Sequence, residues 1–456
     1  MKVWEKRFDL LPGKEIEEFT SSIKEDLFLY PYDIQASKIH SLMLEKCGFI
    51  KPEEREKIWK GLERIKEELD KGVFVFQGDE DIHMAVERRL KEMVGDIADK
   101  LHTARSRNDQ VVVDEKLFLK DKIPQLQEEI RTLQKTILQK AEEKMGIIIP
   151  GFTHFRPAQP VLFSHWLLSY FWMLDRDRER LQDALKRVDI FPGGSLALAG
   201  TSLQIDREFV AKKLGFSQIS PNSMDAVSDR DFILEFLYSI LLLSLHLSRL
   251  AEELVIFSSP YFSWIKLPQE YMTGSSIMPH KMNPDTAELI RARTGRISGY
   301  LVSLSMVLKS LPLTYNRDLQ EDKIPLYEGY RTALSTLKMM QGMVRGMEIN
   351  PNKIEDSLKD EFLIATDIVE KMVEKGIPFR EAYRKVGELV KVLEKEKRNF
   401  SSLKSEEWEK YLGLREEEGK ALLSCKNSVE RKKSPGGTSP EEVRKQILKA
   451  KEVLGS

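Results

Sequence analysis

The sequence predicts an all-α protein built around a long central helix bundle. One long apolar run extends from Phe232 to Phe257, and most other segments show apolar residues at helical spacing. In the first part of the chain, to about Lys100, no alternating apolar and polar pattern of strand type is present, and Val73–Phe76 is too short to assign. One amphipathic surface helix is predicted by four apolar residues that recur at helical spacing between charged residues: Ile58, Leu62, Ile65 and Leu69.

The length of 456 residues and the changes in composition predict three helical domains. The first is an N-terminal helical domain over residues 1–104. The second is the central long-helix domain over residues 105–350. From residue 351 the composition becomes more charged, which predicts a small C-terminal helical domain over 351–456.

Charge and cysteine usage narrow the class of protein. Lys and Arg number 72 and Asp and Glu 73, so the net charge of −1 argues against nucleic-acid and membrane partners. Acidic and basic residues interrupt the 232–257 run, which indicates a buried core helix and not a membrane span. Cys47 and Cys425 lack disulfide or metal-type spacing, and residues 1–7 lack a signal-peptide core, so we expect a cytoplasmic protein without a metal.

Polar residues in the first 110 positions allow two interpretations. Ser22 and Asp33 lie on either side of Pro31, and turn and cap chemistry is the simpler explanation for both. Arg107 and Asn108 precede a long helical pattern and could form a solvated face. Alternatively they form an anion clamp, because arginine binds a carboxylate with two hydrogen bonds and the amide adds another.

The segment after Pro150-Gly151 predicts a break between two helices. It contains Thr153 and His154, and a lone histidine in such a turn is more often structural than catalytic. Further along, Ser228–Asp231 precedes the apolar run, where Asp229 and Asp231 are best explained as caps of the central helix.

The stretch from Tyr271 to Asp285 combines a flexible polar loop with a helix start. Asn283 is predicted as the N-cap and Pro284 as the first helical residue. Backbone N–H groups, the Lys281 ammonium and the Asn283 amide would all face a bound carboxylate. A capped surface helix explains the same residues without any chemistry.

The stretch from residue 311 to residue 323 breaks the next helical pattern and contains Tyr315, Gln320 and Lys323. From the residues alone it is a polar loop between helices.

Three of these segments resemble one enzyme superfamily. Residues 274–283, Gly-Ser-Ser-Ile-Met-Pro-His-Lys-Met-Asn, resemble the loop of the fumarase/aspartase superfamily. Residues 102–110 resemble a block of the argininosuccinate lyases, with Ala104 in place of the usual Gly. Thr153-His154 resembles the second superfamily block, although Arg156-Pro157 departs from it. The resemblance extends from near Trp4, where Trp4–Phe8 replaces the more common Trp-Gly-Gly-Arg-Phe, to the C-terminus.

The resemblance implies a fumarase/aspartase-like helical fold and elimination of fumarate from argininosuccinate, the last step of arginine biosynthesis. It implies no cofactor, and a homotetramer in which each site takes residues from three subunits. The implied catalytic residues are Ser275, His154, Lys281 and Glu288. The implied substrate-binding residues are Ser22, Asp33, Arg107, Asn108, Thr153, Asn283, Tyr315, Gln320 and Lys323.

Two questions stay open at the level of sequence. The resemblance places the base at Ser275 and the acid at or near His154, with Glu288 pairing the imidazole. The reverse assignment of proton acceptor and donor is also consistent. A sister enzyme of the adenylosuccinate lyase, fumarase or aspartase type would share residues 274–283 but not 103–110. A lens structural protein of crystallin type is the alternative from another class.

Overall fold

The computed structural model describes residues 13–455, so the resemblance at Trp4–Phe8 lies outside the described residues. The chain is predominantly helical, as predicted, and long helices dominate it. The α-helices of this range, in chain order, are α1 Lys14–Thr20, α2 Ile23–Asp26, α3 Tyr30–Lys46, α4 Pro52–Asp70, α5 Ile82–Val94, α6 Arg107–Glu143, α7 Phe163–Val188, α8 Arg207–Lys213, α9 Ser223–Ser228, α10 Asp231–Ser258, α11 Asp285–Leu308, α12 Lys323–Gly346, α13 Pro351–Ser357, α14 Ala365–Glu374, α15 Phe379–Glu396, α16 Ser405–Glu407, α17 Glu416–Leu422, α18 Cys425–Arg431 and α19 Pro440–Leu454.

Short strands occur between the helices and form two-stranded pairs. The strands are β1 Ile148–Thr153, β2 Arg156–Leu162, β3 Ile190–Phe191, β4 Gln218–Ile219, β5 Ile265–Lys266, β6 Thr273–Gly274, β7 Met282–Asn283 and β8 Glu348–Ile349. Antiparallel pairs join β1 to β2, β5 to β8 and β6 to β7, and a parallel pair joins β3 to β4.

The β1–β2 hairpin is the main departure from the sequence prediction, which has only a break between helices there. Ile148 and Ile149 favour extended backbone because both side chains are β-branched. Pro150 lies opposite Pro160, and prolines are tolerated because both strands of a two-stranded ribbon are edges. The hairpin thus follows from local propensity, which the Pro-Gly pair obscures.

The central helix α10 forms where the apolar run predicts it. Phe232, Ile233, Phe236 and Leu237 are buried, as the near-continuous apolar pattern requires. Its first residue, Asp231, donates its N–H to the Asp229 carboxylate at 3.0 Å, so Asp229 acts as the predicted cap. None of the helices in residues 13–455 is long and apolar enough to span a bilayer.

Helix α11 begins one residue later than predicted, at Asp285 instead of Pro284. Asn283 pairs with Thr273 in the β6–β7 ribbon and is therefore extended, and the helix starts at Asp285. Asp285 and Glu288 both lie in its first turn, where negative charge is favoured by the helix dipole. The prediction of a loop feeding a helix start is confirmed, with the boundary shifted.

The chain divides into two compact units that are described separately. Unit 1 comprises the described residues up to 127, together with 177–242 and 295–334. In unit 1 the predicted amphipathic helix is α4, with Ile58, Leu62 and Ile65 fully buried. Unit 2 comprises residues 128–176, 243–294 and 335–456.

Part of unit 2 has a hydrophobic core of its own, which includes the fully buried Trp408. Ile368, Met372, Leu393 and Phe400 are fully buried members of the same cluster. All of these residues lie beyond position 351. The separate C-terminal domain, and the three-domain division as a whole, stay predictions.

Unit 1 buries four charged side chains in one cluster. Arg230 pairs with Glu115 and Asp322, and Lys323 pairs with the same two carboxylates at 3.3 and 2.6 Å. Burial raises the pKa of Glu115 above its ordinary value, whereas the charges of Lys323 and Arg230 outweigh burial and lower the pKa of Asp322. The two positive and two negative charges balance, so the cluster is stable only when complete.

Removing one member of this cluster should be strongly destabilising. Arg230→Met is expected to lower the free energy of unfolding by about 3–5 kcal/mol, because two buried carboxylates then face one ammonium. Urea denaturation measures the effect. The matched control is Arg384→Met, at a more than half-exposed pair with Glu388, which should change little. Equal losses in both variants would contradict the account of the cluster.

Candidate active site

The predicted site residues divide between the two units. Those in unit 1 are Ser22, Asp33, Arg107, Asn108, Tyr315, Gln320 and Lys323. Those in unit 2 are Thr153, His154, Ser275, Lys281, Asn283 and Glu288.

In unit 2 the superfamily-like loop closes the β6–β7 ribbon. Gly274 pairs with Met282, so residues 275–281 form the connection between the strands. Lys281 is exposed and Ser275 is half-buried. The loop thus presents its polar groups to solvent, and the ribbon holds its two ends together.

Ser275 has a hydrogen-bonding pattern that suits a reactive hydroxyl. Its Oγ accepts the backbone N–H of Met278 at 3.0 Å and that of Ile277 at 3.3 Å. Donors directed at a hydroxyl oxygen stabilise negative charge on that oxygen. A serine base requires this stabilisation, because a free serine is a weak base.

His154 lies at the tip of the β1–β2 hairpin. His154 and Phe155 both have left-handed backbone, with φ values of 52° and 57°. Two consecutive non-glycine residues in this region are strained, and such strain tends to occur at functional sites. The Phe155 ring stacks on Phe152 with ring centroids 5.8 Å apart. The side chains of Thr153 and His154 are both exposed at this tip.

Glu288 contacts a cation within unit 2. Its Oε1 lies 3.7 Å from Arg291 Nη2, and Arg291 also pairs with Glu252. The pairing of Glu288 with an imidazole stays a prediction.

In unit 1 the side chain of Arg107 is surrounded by acceptors. Its Nη1 donates to Gln110 Oε1 at 2.7 Å, while Nε lies 3.2 Å from Asp81 and Nη2 lies 3.4 Å from Glu87. Burial opposes the charge of Arg107, but Asp81 and Glu87 outweigh it and raise its pKa. A substrate carboxylate would compete with these acids for the guanidinium.

The neighbouring residues fix the backbone of the 102–110 block. Ala104 has a left-handed φ of 56°, the conformation that a glycine adopts most easily. Asp109 accepts the N–H groups of Ser106, Gly194 and Leu196, which ties the block to the 193–196 turn. Asn108 Nδ2 donates to the Ala197 carbonyl at 3.2 Å. The sequence alone did not predict that Asp109 anchors this block. Its position within residues 102–110 is the one sequence feature that could have indicated this role.

Ser22 and Asp33 are buried polar residues in unit 1. The Ser22 hydroxyl donates to Asp26 at 2.7 Å, and Ile82 N–H donates to the same carboxylate. Asp33 is 1% exposed, and Gln110 Nε2 donates to its Oδ1. Gln110 thus links Asp33 to Arg107, which brings two predicted substrate residues into one network.

Burial of Asp26 gives a testable pH dependence. Burial raises the pKa of Asp26 to about 6, against the lowering effects of His83 and the Ser22 hydroxyl. The folded state then holds this proton more tightly than the unfolded state. The resulting stabilisation is complete below pH 3.8, the ordinary value, and is lost as the pH rises through about 6.

Asp26→Asn should therefore remove this pH dependence. Between pH 4 and pH 8, the parent should lose about 2–3 kcal/mol of unfolding free energy relative to the variant. Urea unfolding of both proteins across this range measures the difference. Parallel pH profiles would show that Asp26 titrates normally in the folded protein.

The last predicted segment, residues 311–323, is partly helical. Tyr315 is half-buried, and burial raises its pKa. Gln320 lies in a turn of 3₁₀ helix, Arg317–Asp322, and is half-buried. Lys323 is 4% exposed and belongs to the charge cluster described above. Tyr315 and Gln320 are thus more accessible than Lys323.

Comparison with protein families gives two matches along the chain. A family described as "Lyase" matches residues 12–299. A second, described as "Argininosuccinate lyase C-terminal", matches residues 362–430.

Curated relatives match from end to end. Argininosuccinate lyase of Geobacter sp. strain M21 is 45% identical over 452 residues, covering 99% of both chains. Argininosuccinate lyase of Symbiobacterium thermophilum is 46% identical over 454 residues, covering 99% of this chain and 98% of the relative.

Solved structures support the fold. An EDDS lyase in complex with formate has a TM-score of 0.84 at 24% identity, covering 94% of this chain and 86% of that one. Class II fumarase from Schistosoma mansoni has a TM-score of 0.74 at 17% identity, with 92% of both chains covered. At these identities the likeness concerns the fold alone.

Proposed function

The chain belongs to the argininosuccinate lyase family, and from that premise we propose how its own residues carry out the reaction. The enzyme is a lyase that eliminates fumarate from argininosuccinate and leaves arginine, as in arginine biosynthesis. The end-to-end match to argininosuccinate lyases supports this conclusion. The match of residues 362–430 to the C-terminal family of argininosuccinate lyases adds to it, because that family is named for this one enzyme.

The reaction begins at the C–H bond next to a carboxylate of the succinyl group. Ser275, as the alkoxide, takes the proton, and the electron pair of the C–H bond moves into the carboxylate to give an aci-carboxylate. The two backbone N–H groups that reach Ser275 Oγ support this role, because they stabilise the oxygen as a base.

The aci-carboxylate carries an extra negative charge that water stabilises poorly. Lys281, the last residue of the loop, and Asn283, in β7, would supply a cation and an amide donor. In the second step the electron pair of the aci-carboxylate returns to form the C=C bond of fumarate, and the C–N bond breaks. The C–N electron pair leaves with the guanidino nitrogen, and His154 donates the proton that this nitrogen requires. Fumarate and arginine are the products.

The reverse assignment exchanges the two proton-transfer roles. In that mechanism His154 accepts the proton from carbon and Ser275 donates to the leaving nitrogen. The exposed position of His154 at a strained hairpin tip is compatible with either role. Glu288 would orient the imidazole in both.

We assign direct substrate contacts to the more accessible members of the predicted set. These are Arg107, Asn108, Thr153, Tyr315 and Gln320. Ser22, Asp33 and Lys323 are 4%, 1% and 4% exposed, so we propose that they support these contacts through their neighbours. Asp33 reaches Arg107 through Gln110, for example.

We propose a homotetramer in which each active site combines residues from different subunits. Large apolar side chains on the long helices support subunit contacts, since exposed apolar surface marks interfaces. Leu289, Val302 and Met306 on α11 are 52%, 56% and 60% exposed, and Tyr238 on α10 is 51% exposed. We propose a cytoplasmic location, which the free thiols of Cys47 and Cys425 favour.

Fumarate release tests the assignment. Ultraviolet absorbance should report fumarate from argininosuccinate, with no comparable rate from adenylosuccinate, malate or aspartate. Preference for one of the other three would identify a sister enzyme. A folded protein that acts on none of them would support the crystallin-type alternative.

A further inference from the structure

A cavity in unit 1 lies beside the 102–110 block and is not explained by the lyase mechanism. Side chains of α3, α6 and α8 enclose it, together with the turn at Gly193 and Gly194. We call it the α3–α8 cavity. Within the described residues its lining includes neither Arg107 nor Asn108, the proposed substrate contacts. The empty space is about 480 Å³, part of it open to solvent, which is enough for a small organic molecule.

The wall of the α3–α8 cavity is mainly apolar. Met43, Phe191, Val210 and Leu214 line it, and all four are buried in the folded chain. Water gains few hydrogen bonds against such a surface, and apolar cavities in proteins stay dry and bind apolar molecules. This part of the wall therefore suits the hydrocarbon part of a ligand.

Arg207 adds a hydrogen-bond donor without an acceptor to this wall. Its Nε donates to the Gly193 carbonyl at 2.7 Å, whereas its Nη2 is buried without a hydrogen-bond partner. Burial lowers the pKa of Arg207, and the charge of Asp109 offsets this effect only in part. No acidic side chain in residues 13–455 forms an ion pair with this guanidinium.

The two acidic residues of the wall already have other partners. Asp109 accepts three backbone N–H groups, one on Oδ1 and two on Oδ2. Asp206 pairs with Lys46 and accepts the N–H of Phe209 at 2.8 Å. Neither carboxylate supplies the acceptor that Arg207 Nη2 lacks.

A second arginine of the wall has a donor of the same kind. The Arg105 side chain is 8% exposed, and its Nε is buried without a hydrogen-bond partner. Its Nη1 donates to Ser37 Oγ at 2.8 Å, and its Nη2 lies 3.7 Å from Glu87. Arg105 also lowers the pKa of Asp33 and of Asp114, so other acids compensate its charge. The unpaired N–H group, and not a surplus of charge, is what Arg105 offers to a ligand.

The histidine of the wall is neutral. Burial, then the charge of Arg105, lowers the pKa of His40 to about 3. Its Nε2 lies 2.9 Å from the Thr103 carbonyl, so the neutral ring carries its hydrogen on this nitrogen and donates it there. Arg105 and Arg207 are therefore the cationic side chains of the described wall.

We propose that the α3–α8 cavity binds a short aliphatic monocarboxylate, whose carboxylate accepts hydrogen bonds from Arg105 and Arg207 and whose tail contacts the apolar wall. Guanidinium and carboxylate groups form strong, charge-assisted hydrogen bonds. A dicarboxylate such as fumarate does not fit this description, because its second charge would be buried against apolar side chains without a partner. The site therefore differs from the active site in place and in ligand class.

The melting temperature of the full-length protein in sodium butyrate tests the proposal without using enzyme activity. At constant ionic strength, kept with sodium chloride, butyrate should raise the melting temperature as its concentration increases, because it binds the folded state. Butyramide keeps the shape without the charge and should have little effect, as should n-butylammonium. Equal shifts with butyrate and butyramide, or no shift with butyrate, would overturn the proposal.

Replacing Arg207 by methionine removes the unpaired donor and keeps the stem that lies against Gly194. Butyrate binding, measured by titration calorimetry, should weaken about ten- to a hundredfold, the loss expected for hydrogen bonds to a charged group. The matched control is Lys212→Met, which removes an exposed cation of α8 that does not line the cavity. This variant should bind butyrate as the parent does. Equal affinity of Arg207→Met and the parent would contradict the assignment.

Methionine methyl NMR on the unsubstituted protein covers the case in which Arg207→Met does not fold, and it also locates the ligand. With ¹³C-methyl methionine, the Met43 signal, assigned through Met43→Leu, should shift when butyrate is added, because Met43 lines the cavity. The signals of Met278 and Met282, close in sequence to Ser275 and Lys281, should stay in place. Shifts at Met278 or Met282 without a shift at Met43 would locate butyrate at the active-site loop and overturn the proposal. None of these measurements depends on lyase activity.

Discussion

Replacing Ser275 by alanine should lower kcat by about a hundred- to ten-thousandfold, the range for loss of a general acid or base. KM should stay close to that of the parent, because the hydroxyl acts on a proton and not on the substrate carboxylates. The two N–H groups that reach Ser275 Oγ lie in an exposed loop, where water can replace the lost acceptor. The variant should therefore fold normally, as circular dichroism and thermal unfolding would check.

The adjacent Ser276 offers a matched control. It is exposed and carries the same functional group, so Ser276→Ala should retain most of the activity. The fumarate assay at saturating argininosuccinate compares the two variants directly. Undiminished turnover of Ser275→Ala would remove this serine from both proposed proton-transfer roles.

Replacing Lys281 by methionine should lower kcat by about a hundred- to a thousandfold. Loss of one preorganised donor to a developing oxyanion has this size of effect, because the donor interacts most strongly with the transition state. Methionine keeps the length and apolar stem of the side chain and removes the charge. The exposed Lys309, at the end of α11, provides the control Lys309→Met, which should behave as the parent.

The division of the effect between kcat and KM is informative. An interaction made only in the transition state lowers kcat and kcat/KM together. If Lys281→Met raises KM and leaves kcat unchanged, the ammonium binds the ground-state carboxylate and does not stabilise the aci-carboxylate.

The parts of the fold that were predictable follow from periodicity. Helix α10 and the buried stripe of α4 form where apolar spacing requires them. The β1–β2 hairpin was missed because a Pro-Gly pair such as Pro150-Gly151 is common both between two helices and in an edge strand. The start of α11 shifted because Asn283 pairs with Thr273, and the cap signals at Asn283 and Pro284 do not reveal this strand pairing.

The site was predictable only in part for a related reason. Resemblance located Ser275, His154 and Arg107, but not the groups that surround them. His83 and Asp114 are ordinary polar residues in two helical patterns, and only packing of α3, α5 and α6 places them against Asp33. The burial of Ser22, Asp33 and Lys323 is likewise a property of the folded chain and could not be predicted from the local sequence.

In the proposed tetramer, catalytic residues of different subunits build one active site. This arrangement is tested most directly by mixing Ser275→Ala with His154→Asn, each inactive alone, after reversible dissociation and reassembly. If the two residues of a site come from different chains, equal mixing should restore about a quarter of parental activity, because one site in four receives both intact residues. If hybrid tetramers form by native mass spectrometry but stay inactive, both residues act within one chain, and the shared-site account is wrong.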